Sequence, residues 1–255
     1  MARALVTGAT AGLGAEFARQ LARRGDDLVL VARDATRLDA LASELRDRHG
    51  VEVEALPADL ALPADVERVA DRLGSDAAPV DVLVSNAGFG VAGGLLGADL
   101  AEHDRALDVM CRAVLHLGAA AGRAMRRRGN GRIVNVASLS AWTTQGHYSA
   151  IKAWVLVYSQ ALAGELHGTG VTVTALCPGW VKTEFHQRAD LGTGGIPEPV
   201  WVDARRCVRE ALADADRGAV VSIPTKRWKA AALALDAAPR PVVRWISRRL
   251  ARSRN

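Results

Sequence analysis

The fold of this chain is decided by residues 4–14, which read Ala4-Leu5-Val6-Thr7-Gly8-Ala9-Thr10-Ala11-Gly12-Leu13-Gly14. An apolar run that ends in spaced glycines is typical of a strand that turns sharply into a helix. Gly8 would permit the tight turn, Gly12 would let the backbone approach a pyrophosphate, and Gly14 would let the helix pack closely. Free N–H groups at the start of that helix would attract the anion. The stretch therefore predicts a dinucleotide site at the first turn.

Beyond this turn, short apolar runs alternate with longer amphipathic stretches, as in repeated βαβ units around a parallel sheet. Strands are predicted near residues 2–7, 27–32, 51–56, 80–85, 131–137, 170–176 and 218–222. Helices are predicted near residues 13–24, 34–48, 63–74, 101–128, 148–168 and 201–215. The predicted fold class is therefore α/β, a doubly wound parallel seven-stranded sheet of the Rossmann type, which binds ligands at the carboxyl ends of its strands.

The composition is that of an ordinary globular protein, with 49% hydrophobic and 24% charged residues. No linker-like segment interrupts the alternating pattern before residue 225, so we expect one domain over residues 1–225 and an extension over 226–255. The extension holds nine Arg and Lys residues against one acid, Asp236, a net charge of +8 that leaves −3 for the rest. Because the basic charge lies in the tail and no base-reading motif accompanies it, a nucleic-acid role is not indicated.

The cysteines are odd in number and lack Cys-x-x-Cys spacing: Cys111, Cys177 and Cys207. Neither a disulfide framework nor a metal site is indicated by such a set. We expect reduced thiols in a cytoplasmic protein. The chain runs from Met1 straight into the first predicted strand without the apolar segment of a secretory signal, and no apolar run approaches the length that a bilayer span requires.

The spacing Thr-Gly-x-x-x-Gly-x-Gly over residues 7–14 resembles the cofactor loop of the short-chain dehydrogenase/reductase superfamily. The resemblance spans most of the chain, through motifs that follow successive predicted strands: Asp59-Leu60, Asn86-Ala87-Gly88, Ser138, Tyr148-x-x-x-Lys152, and Pro178-Gly179 with Thr183. It implies an oxidoreductase with a nicotinamide dinucleotide cofactor, which Thr10 and Leu13 would contact together with the three loop glycines.

The resemblance also assigns roles to the later motifs. Asp59 and Leu60 would flank the adenine, and Asn86-Ala87-Gly88 would pass beneath the nucleotide. Pro178 and Gly179 would contact the cofactor, and Val181 and Thr183 would meet the nicotinamide carboxamide. For Asp59, a helix-capping role is the alternative.

The residue after the second predicted strand bears on the choice between NAD(H) and NADP(H). An acid there would bind the ribose hydroxyls of NAD, whereas the 2′-phosphate of NADP requires a cation. This chain has Arg33, whose planar and permanently charged fork suits a phosphate, and Arg37 is placed to assist. We therefore predict NADP(H), although the neighbouring Asp34 weakens the prediction and a solvated loop position is the alternative for Arg33.

Tyr148 and Lys152 are the predicted centre of the chemistry. Hydride transfer to a carbonyl leaves negative charge on oxygen and requires a proton donor. Residues at i and i+4 share a helix face, and a nearby ammonium would lower the pKa of the phenol toward the working pH. Ser138 would polarise the substrate oxygen, with Ser140 as the alternative assignment.

One position departs from the family pattern. The family usually has an asparagine in the long helix after the fourth strand, whose backbone carbonyl helps to hold a water molecule of the proton relay; here the position is Met110. A thioether cannot replace the hydrogen bonds of an amide side chain. The main-chain carbonyl of Met110 could still hold the water. The departure leaves a second hypothesis open, a catalytically weak NADP(H)-binding regulatory or scaffold protein.

One further segment and a set of aromatic side chains also have predicted roles. Residues 184–200, rich in glycine and proline, suit a flap that closes over the nicotinamide, or else a plain surface connection. The apolar pocket would draw on Phe89, Trp142, Trp180, Phe185 and Trp201, each of which could equally belong to the core.

The basic extension has three alternatives: packing on the parent domain, covering a partner subunit, or weak peripheral contact with an anionic membrane.

The sequence thus predicts an NADP(H)-dependent oxidoreductase that interconverts a secondary alcohol and a ketone, or a primary alcohol and an aldehyde. Tyr148 would be the acid/base, Lys152 its electrostatic partner and ribose ligand. An apolar or lipid-like substrate is one hypothesis, since the sequence does not identify the substrate. The resemblance implies a homodimer or homotetramer formed through the helices near residues 101–128 and 148–168.

Overall fold

The structure is a computed structural model that describes residues 2–91, 94–182 and 200–252. Its strands are β1 Arg3–Thr7, β2 Asp27–Ala32, β3 Val53–Pro57, β4 Val82–Ser85, β5 Gly131–Val136, β6 Val171–Leu176 and β7 Val221–Ser222. They form one sheet in the order β3-β2-β1-β4-β5-β6-β7, in which every described pairing is parallel. The predicted doubly wound α/β fold is therefore confirmed.

Helices connect these strands and continue beyond the last of them. Their bounds are α1 Gly12–Arg23, α2 Ala35–His49, α3 Pro63–Gly74, α4 Ala101–Leu107, α5 Ala113–Arg128, α6 Gly146–Glu165, α7 Ala204–Asp216, α8 Lys226–Ala237 and α9 Arg240–Arg252. A π-helical turn, Asp108–Arg112, joins α4 to α5, and a 3₁₀ turn, Leu139–Trp142, follows β5.

Apolar side chains cover both faces of the sheet because successive strand residues point to opposite sides. Val6 and Leu30 belong to the core beneath α1, α2 and α7, whereas Leu5 and Val29 belong to the core beneath α3, α5 and α6. The connections diverge between β1 and β4, which are adjacent in the sheet. Doubly wound folds bind ligands in the crevice at such a switch point.

The element ends lie within three residues of the predicted ones, and two of the differences have a clear physical cause. The helix predicted over residues 101–128 is interrupted by the π turn at residues 108–112. The backbone hydrogen bonds of this turn span five residues, one more than in an α-helix. The strand predicted over 218–222 shortens to Val221–Ser222. Gly218 has a φ of +71°, and its N–H donates to Ala215, so the chain is still completing the end of α7 there.

The extension forms two helices, α8 and α9, separated at Pro239. Val243 and Ser247 are buried at 1% exposure on one side of α9, whereas Trp245 is 58% exposed on another. The buried side of α9 therefore packs on the parent domain, which is one of the three alternatives given for the tail. Within the described ranges, none of the helices combines the length and apolarity that crossing a membrane requires.

Candidate active site

The carboxyl ends of β1 and β4 are tied together by Thr7 and Asn86. The Thr7 hydroxyl accepts the N–H groups of Asn86 and Ala87 at 2.9 and 3.0 Å. The Asn86 side-chain amide donates to the carbonyls of Thr7 and Gly8 at 2.9 and 3.3 Å. These bonds fix the glycine loop against the Asn86-Ala87-Gly88 segment. The sequence motif therefore has a structural reason in addition to its predicted place beneath the nucleotide.

The glycines of the loop are required by backbone conformation and by close packing. Gly8 and Gly12 have φ values of +65° and +53°, in the left-handed region that favours glycine. A Cβ on Gly14 would lie 2.1 Å from the Gly8 carbonyl oxygen and 2.5 Å from Asn86 Nδ2. Neither contact is tolerable, so a side chain at residue 14 would displace the loop.

The first N–H groups of α1 are available to bind an anion. The residue that precedes α1, Ala11, provides no side-chain cap, so the first N–H groups of the helix lack the partner that a Ser or Asp would give them. A helix start of this kind, behind a glycine turn, suits a pyrophosphate. Thr10 and Leu13 flank it within the same loop. The residues present therefore fit a dinucleotide cofactor.

The structure places both predicted phosphate-binding arginines beside this loop. Arg33 is exposed at the end of β2. Arg37, on the first turn of α2, donates from Nη2 to the Thr10 carbonyl at 3.0 Å. Asp34, which weakened the NADP prediction, is the N-cap of α2, and its carboxylate accepts the Arg37 N–H at 3.0 Å. The Asp34 carboxylate is therefore already engaged in starting a helix.

Asp59 is held by a residue that the sequence analysis missed. Arg105, on α4, donates to both of its carboxylate oxygens at 2.8 and 2.9 Å, and the Ala61 N–H adds a bond of 3.0 Å. Partial burial alone would raise the pKa of Asp59, but these hydrogen bonds outweigh burial and hold it below the usual value. The N-cap of α3 is Leu62, so Asp59 does not cap that helix. Leu60 beside it is buried in the core.

Lys152 is buried on α6 at 4% exposure. Its Nζ donates to the carbonyl of Val136, the last residue of β5, at 2.8 Å, and lies 5.5 Å from the centre of the Tyr148 ring. Burial lowers the pKa of Lys152 to about 8, against a small opposing effect of Cys111 and Cys177. The predicted pair therefore lies together at the carboxyl edge of the sheet, with the half-buried Tyr148 ring within reach of the ammonium.

Ser138 follows β5 and lies next to its alternative, Ser140. The Ser138 hydroxyl accepts the Ser140 N–H at 3.1 Å and donates to the Ser140 hydroxyl at 3.2 Å. Ser138 thereby caps the 3₁₀ turn. Both hydroxyls lie together and both residues are half-buried, so the geometry does not separate the two assignments.

Met110 is buried at 1% exposure within the π turn. A Cβ on Gly88 would lie 2.9 Å from its sulfur, so the thioether packs directly against the segment predicted to lie beneath the nucleotide. Burial raises the pKa of its neighbour Cys111 to about 11, which keeps that thiol protonated. The position of the family's asparagine is thus filled by apolar packing in this chain.

The segment after β6 borders the same edge. The Pro178 carbonyl accepts the Leu139 N–H at 3.0 Å, and a Cβ on Gly179 would lie 2.2 Å from the Trp228 ring of α8. Val181 is buried and pairs with Val202 in a parallel bridge. The predicted contacts of Thr183 and Phe185 and the flap over residues 184–199 lie outside the described residues.

Several tryptophans surround this edge. The Trp180 and Trp201 rings meet edge to face at 5.7 Å, and the Trp142 Nε1–H donates to Asp236 of α8 at 3.1 Å. Phe89 packs on the core beneath α5 and α6. Trp142, Trp180 and Trp201 belong to the pocket predicted from the sequence. Trp228 does not, because nothing in the basic tail indicates which of its aromatic side chains turns inward.

Comparison with known proteins gives the family. A family model described as short chain dehydrogenase matches residues 2–192. The chain is 33% identical over 181 residues to ketoacyl reductase HetN of Nostoc, a match that covers 70% of this chain and 63% of that protein.

Two solved structures are similar over almost the whole chain. A short-chain dehydrogenase from Sphingobium yanoikuyae in complex with NADPH is 40% identical, with a TM-score of 0.86 and 95% of each chain covered. A bulky-bulky ketone specific alcohol dehydrogenase from Comamonas testosteroni is 33% identical, with a TM-score of 0.80, covering 94% of this chain and 96% of that one. The family model, the fold and the glycine loop agree, and the chain belongs to the short-chain dehydrogenase/reductase family of oxidoreductases, which use a nicotinamide dinucleotide cofactor.

Proposed function

We propose that this protein is an NADP(H)-dependent oxidoreductase that interconverts a secondary alcohol and a ketone, or a primary alcohol and an aldehyde. Tyr148 is the acid/base, and Lys152 and Ser138 support it. The observation that carries the proposal is the buried Lys152, whose Nζ is fixed 2.8 Å from the Val136 carbonyl and 5.5 Å from the Tyr148 ring centre. Burying a lysine ammonium lowers the stability of the folded protein. A role in catalysis accounts for a buried charge at this position.

In the direction of reduction, the nicotinamide supplies a hydride to the carbonyl carbon when the cofactor is bound. Tyr148 gives its phenolic proton to the carbonyl oxygen as negative charge develops there. The Lys152 ammonium stabilises the phenolate that remains, because opposite charges in a buried site interact strongly. Ser138, with Ser140 hydrogen bonded beside it, donates to the same carbonyl oxygen and orients it.

We propose NADP(H) rather than NAD(H). Arg33 follows the end of β2, and Arg37 on the first turn of α2 donates to the Thr10 carbonyl of the glycine loop. The Asp34 carboxylate caps α2. The loop therefore offers cations where a 2′-phosphate binds, and an arginine fork suits that group. The related structure from Sphingobium yanoikuyae, in complex with NADPH, supports the same choice.

The experiment that tests the function is NADPH consumption with a panel of ketones and aldehydes, comparing wild type, Tyr148→Phe and Tyr158→Phe. We expect Tyr148→Phe to lower kcat/KM by at least about 100-fold, as loss of a general acid does. Tyr158, whose hydroxyl donates to the Leu115 carbonyl at 3.4 Å, is the chain's other tyrosine and the matched control. Equal activity of the three proteins would refute the role of Tyr148.

Met110 favours a second candidate, a catalytically weak NADP(H)-binding regulatory or scaffold protein, since its thioether takes the place of the family's amide. Under this alternative the wild-type protein would bind NADPH, as measured by calorimetry, and would reduce no member of the panel. Turnover that is lost in Tyr148→Phe would contradict this alternative.

We propose an apolar or lipid-like carbonyl or alcohol as the substrate class. Trp180 and Trp201 pack edge to face at 5.7 Å, and Trp142 lies in the 3₁₀ turn after Ser138, so these rings offer large apolar faces near the carboxyl edge of the sheet. The related alcohol dehydrogenase from Comamonas testosteroni, specific for bulky-bulky ketones, supports this choice. We further propose that the enzyme acts in the cytoplasm, where its three free thiols would stay reduced.

We propose that the outer side of α8 and α9 makes weak peripheral contact with anionic membranes. Leu233, Val242 and Trp245 are exposed there at 72%, 44% and 58%, and Arg249 lies over the Trp245 ring at 5.0 Å. Apolar side chains among arginines suit an anionic bilayer interface.

Sedimentation with vesicles of anionic and of neutral lipids tests the membrane proposal on the full chain. We expect the wild type to pellet with anionic vesicles only, and the Trp245→Ser variant to pellet less. Val220→Ser, which changes an exposed apolar residue just before β7, is the control. If anionic vesicles pellet no wild-type protein, the proposal is wrong.

A further inference from the structure

The C-terminal hairpin, α8 and α9, packs against the segment that separates the two parts of the candidate active site. That segment, residues 138–145, is called the serine loop here. It begins at Ser138 and ends three residues before Tyr148. Two hydrogen bonds, one from each helix of the hairpin, join it to the C-terminal extension.

The first bond joins Trp142 to Asp236. The indole Nε1–H donates to the Asp236 carboxylate at 3.1 Å. Asp236 is the only acid among residues 226–255, against nine basic residues. Its carboxylate is the acceptor through which α8 holds the indole of the serine loop.

The second bond joins Thr144 to Ser247. The Ser247 side chain is buried at 1% exposure on the inner side of α9. Its hydroxyl accepts the backbone N–H of Thr144 at 2.9 Å and donates to the Val243 carbonyl at 2.8 Å. The hydroxyl thus joins α9 to the serine loop, and the Thr144 N–H would lose this acceptor without it.

The loop transmits this anchoring to the residues at its two ends. Thr143 Oγ1 donates to the Ser140 carbonyl at 3.0 Å, and the Ser140 N–H donates to Ser138 Oγ at 3.1 Å. The Gln145 N–H donates to the Ser149 hydroxyl at 3.2 Å, and Ser149 follows Tyr148 directly on α6. A shift of the loop at residues 142–144 would therefore change the positions of both Ser138 and Tyr148.

We infer that Asp236 and Ser247 are positioning residues, which hold the serine loop so that Ser138 and Tyr148 face the same substrate oxygen. This inference rests on the proposed reductase function. Neither residue is part of the catalytic machinery itself, since both act through Trp142 and Thr144. The C-terminal hairpin is accordingly part of the active-site construction and not only a cover for the apolar surface of the domain.

Hydrogen exchange tests the anchoring without any need for turnover. In Ser247→Ala, the amide of Thr144 loses its acceptor, so we expect peptides that cover residues 138–147 to exchange at least about threefold faster, as the loss of one hydrogen bond implies. Peptides that cover the glycine loop, residues 7–14, should exchange at the wild-type rate. Unchanged exchange over residues 138–147 would overturn the anchoring.

Steady-state kinetics tests the catalytic consequence. Asp236 is exposed, so its variants are expected to fold. We expect Asp236→Ala and Ser247→Ala each to lower kcat for a ketone about three- to tenfold, the effect of one hydrogen bond, while the Kd for NADPH stays unchanged. Asp236→Asn keeps an oxygen that accepts from the indole and should restore kcat. Leu233→Ala, at an exposed site on the same helix, is the matched control.

The outcomes separate the inference from the proposed function. If wild type reduces no ketone while Ser247→Ala speeds exchange in the loop, the anchoring holds and the reductase proposal fails. If wild type is active and both alanine variants keep its kcat, the positioning role is wrong. A fall in melting temperature with an unchanged kcat would also overturn it, because purely structural support predicts that result.

Discussion

Lys152 shows how one buried cation couples stability to pH. Its pKa is lowered from 10.5 to about 8 by burial. Between these values the unfolded chain binds more protons at this residue than the folded protein does, so the free energy of unfolding contributed by Lys152 rises with pH over that range. Below pH 8 both states carry the charge, and the folded protein bears the full cost of burying it.

We therefore compare the free energies of unfolding of wild type and Lys152→Met in the absence of cofactor. We expect the wild-type value to rise relative to that of the variant by up to about 3 kcal/mol as the pH increases from 7 to 10. Denaturant unfolding of both proteins at several pH values measures this difference. The buried thiols of Cys177 and Cys207, whose pKa values burial raises to about 12, act in the opposite direction but are common to both proteins. A difference that stays constant with pH would contradict the buried-charge account.

Arg33 decides the choice of cofactor in the proposed function. Since a charge-assisted hydrogen bond contributes about 1.5–3 kcal/mol, Arg33→Ala should weaken NADPH binding roughly 10- to 100-fold. NADH lacks the 2′-phosphate, so its Kd should change little. Titration calorimetry with both cofactors measures the ratio, and Arg48→Ala, at the far end of α2 beside Glu44, is the control. An unchanged preference for NADPH would show that the phosphate is bound elsewhere.

Among the elements, those with a strong periodic pattern could be predicted from sequence and those that depend on tertiary contacts could not. The runs in β1 and β2 are apolar at consecutive positions because both faces of the sheet are covered, and this is visible in sequence. The π turn at residues 108–112 has no such signature, since its residues alone do not reveal the altered hydrogen bonds. A helical pattern over 101–128 was therefore predicted as one helix.

The candidate site divides in the same way. The glycine loop, Tyr148 and Lys152 are short-range motifs, and fixed spacing identifies them. Arg105, in contrast, reaches Asp59 across 46 positions of sequence, and Asp236 reaches Trp142 across 94. Such pairs arise only when the sheet brings distant segments to one edge, so no local pattern indicates them.

At the scale of the whole molecule, the exposed apolar surface on the long helices has no counterpart inside the described chain. Leu115 is 44%, Trp154 36% and Val157 62% exposed on α5 and α6. Tyr158 connects them, since its ring stacks on Trp154 at 5.0 Å and its hydroxyl donates to the Leu115 carbonyl. Contiguous apolar surface of this kind marks an interaction site. We propose that a second copy of the chain covers it, in a homodimer or homotetramer.

The association state of Val157→Asp tests this proposal. Burying a carboxylate in a symmetric apolar interface places two like charges in a dry contact, so the variant should dissociate into monomers. Light scattering after gel filtration measures the mass. NADPH binding should persist, because the proposed cofactor site, at β1, β2 and α1, lies within one chain. Val220→Asp, 40% exposed away from these helices, is the matched control and should keep the wild-type mass. If the wild type is monomeric at every concentration, the oligomer proposal is wrong. If Val157→Asp stays assembled, the subunits do not meet at this surface.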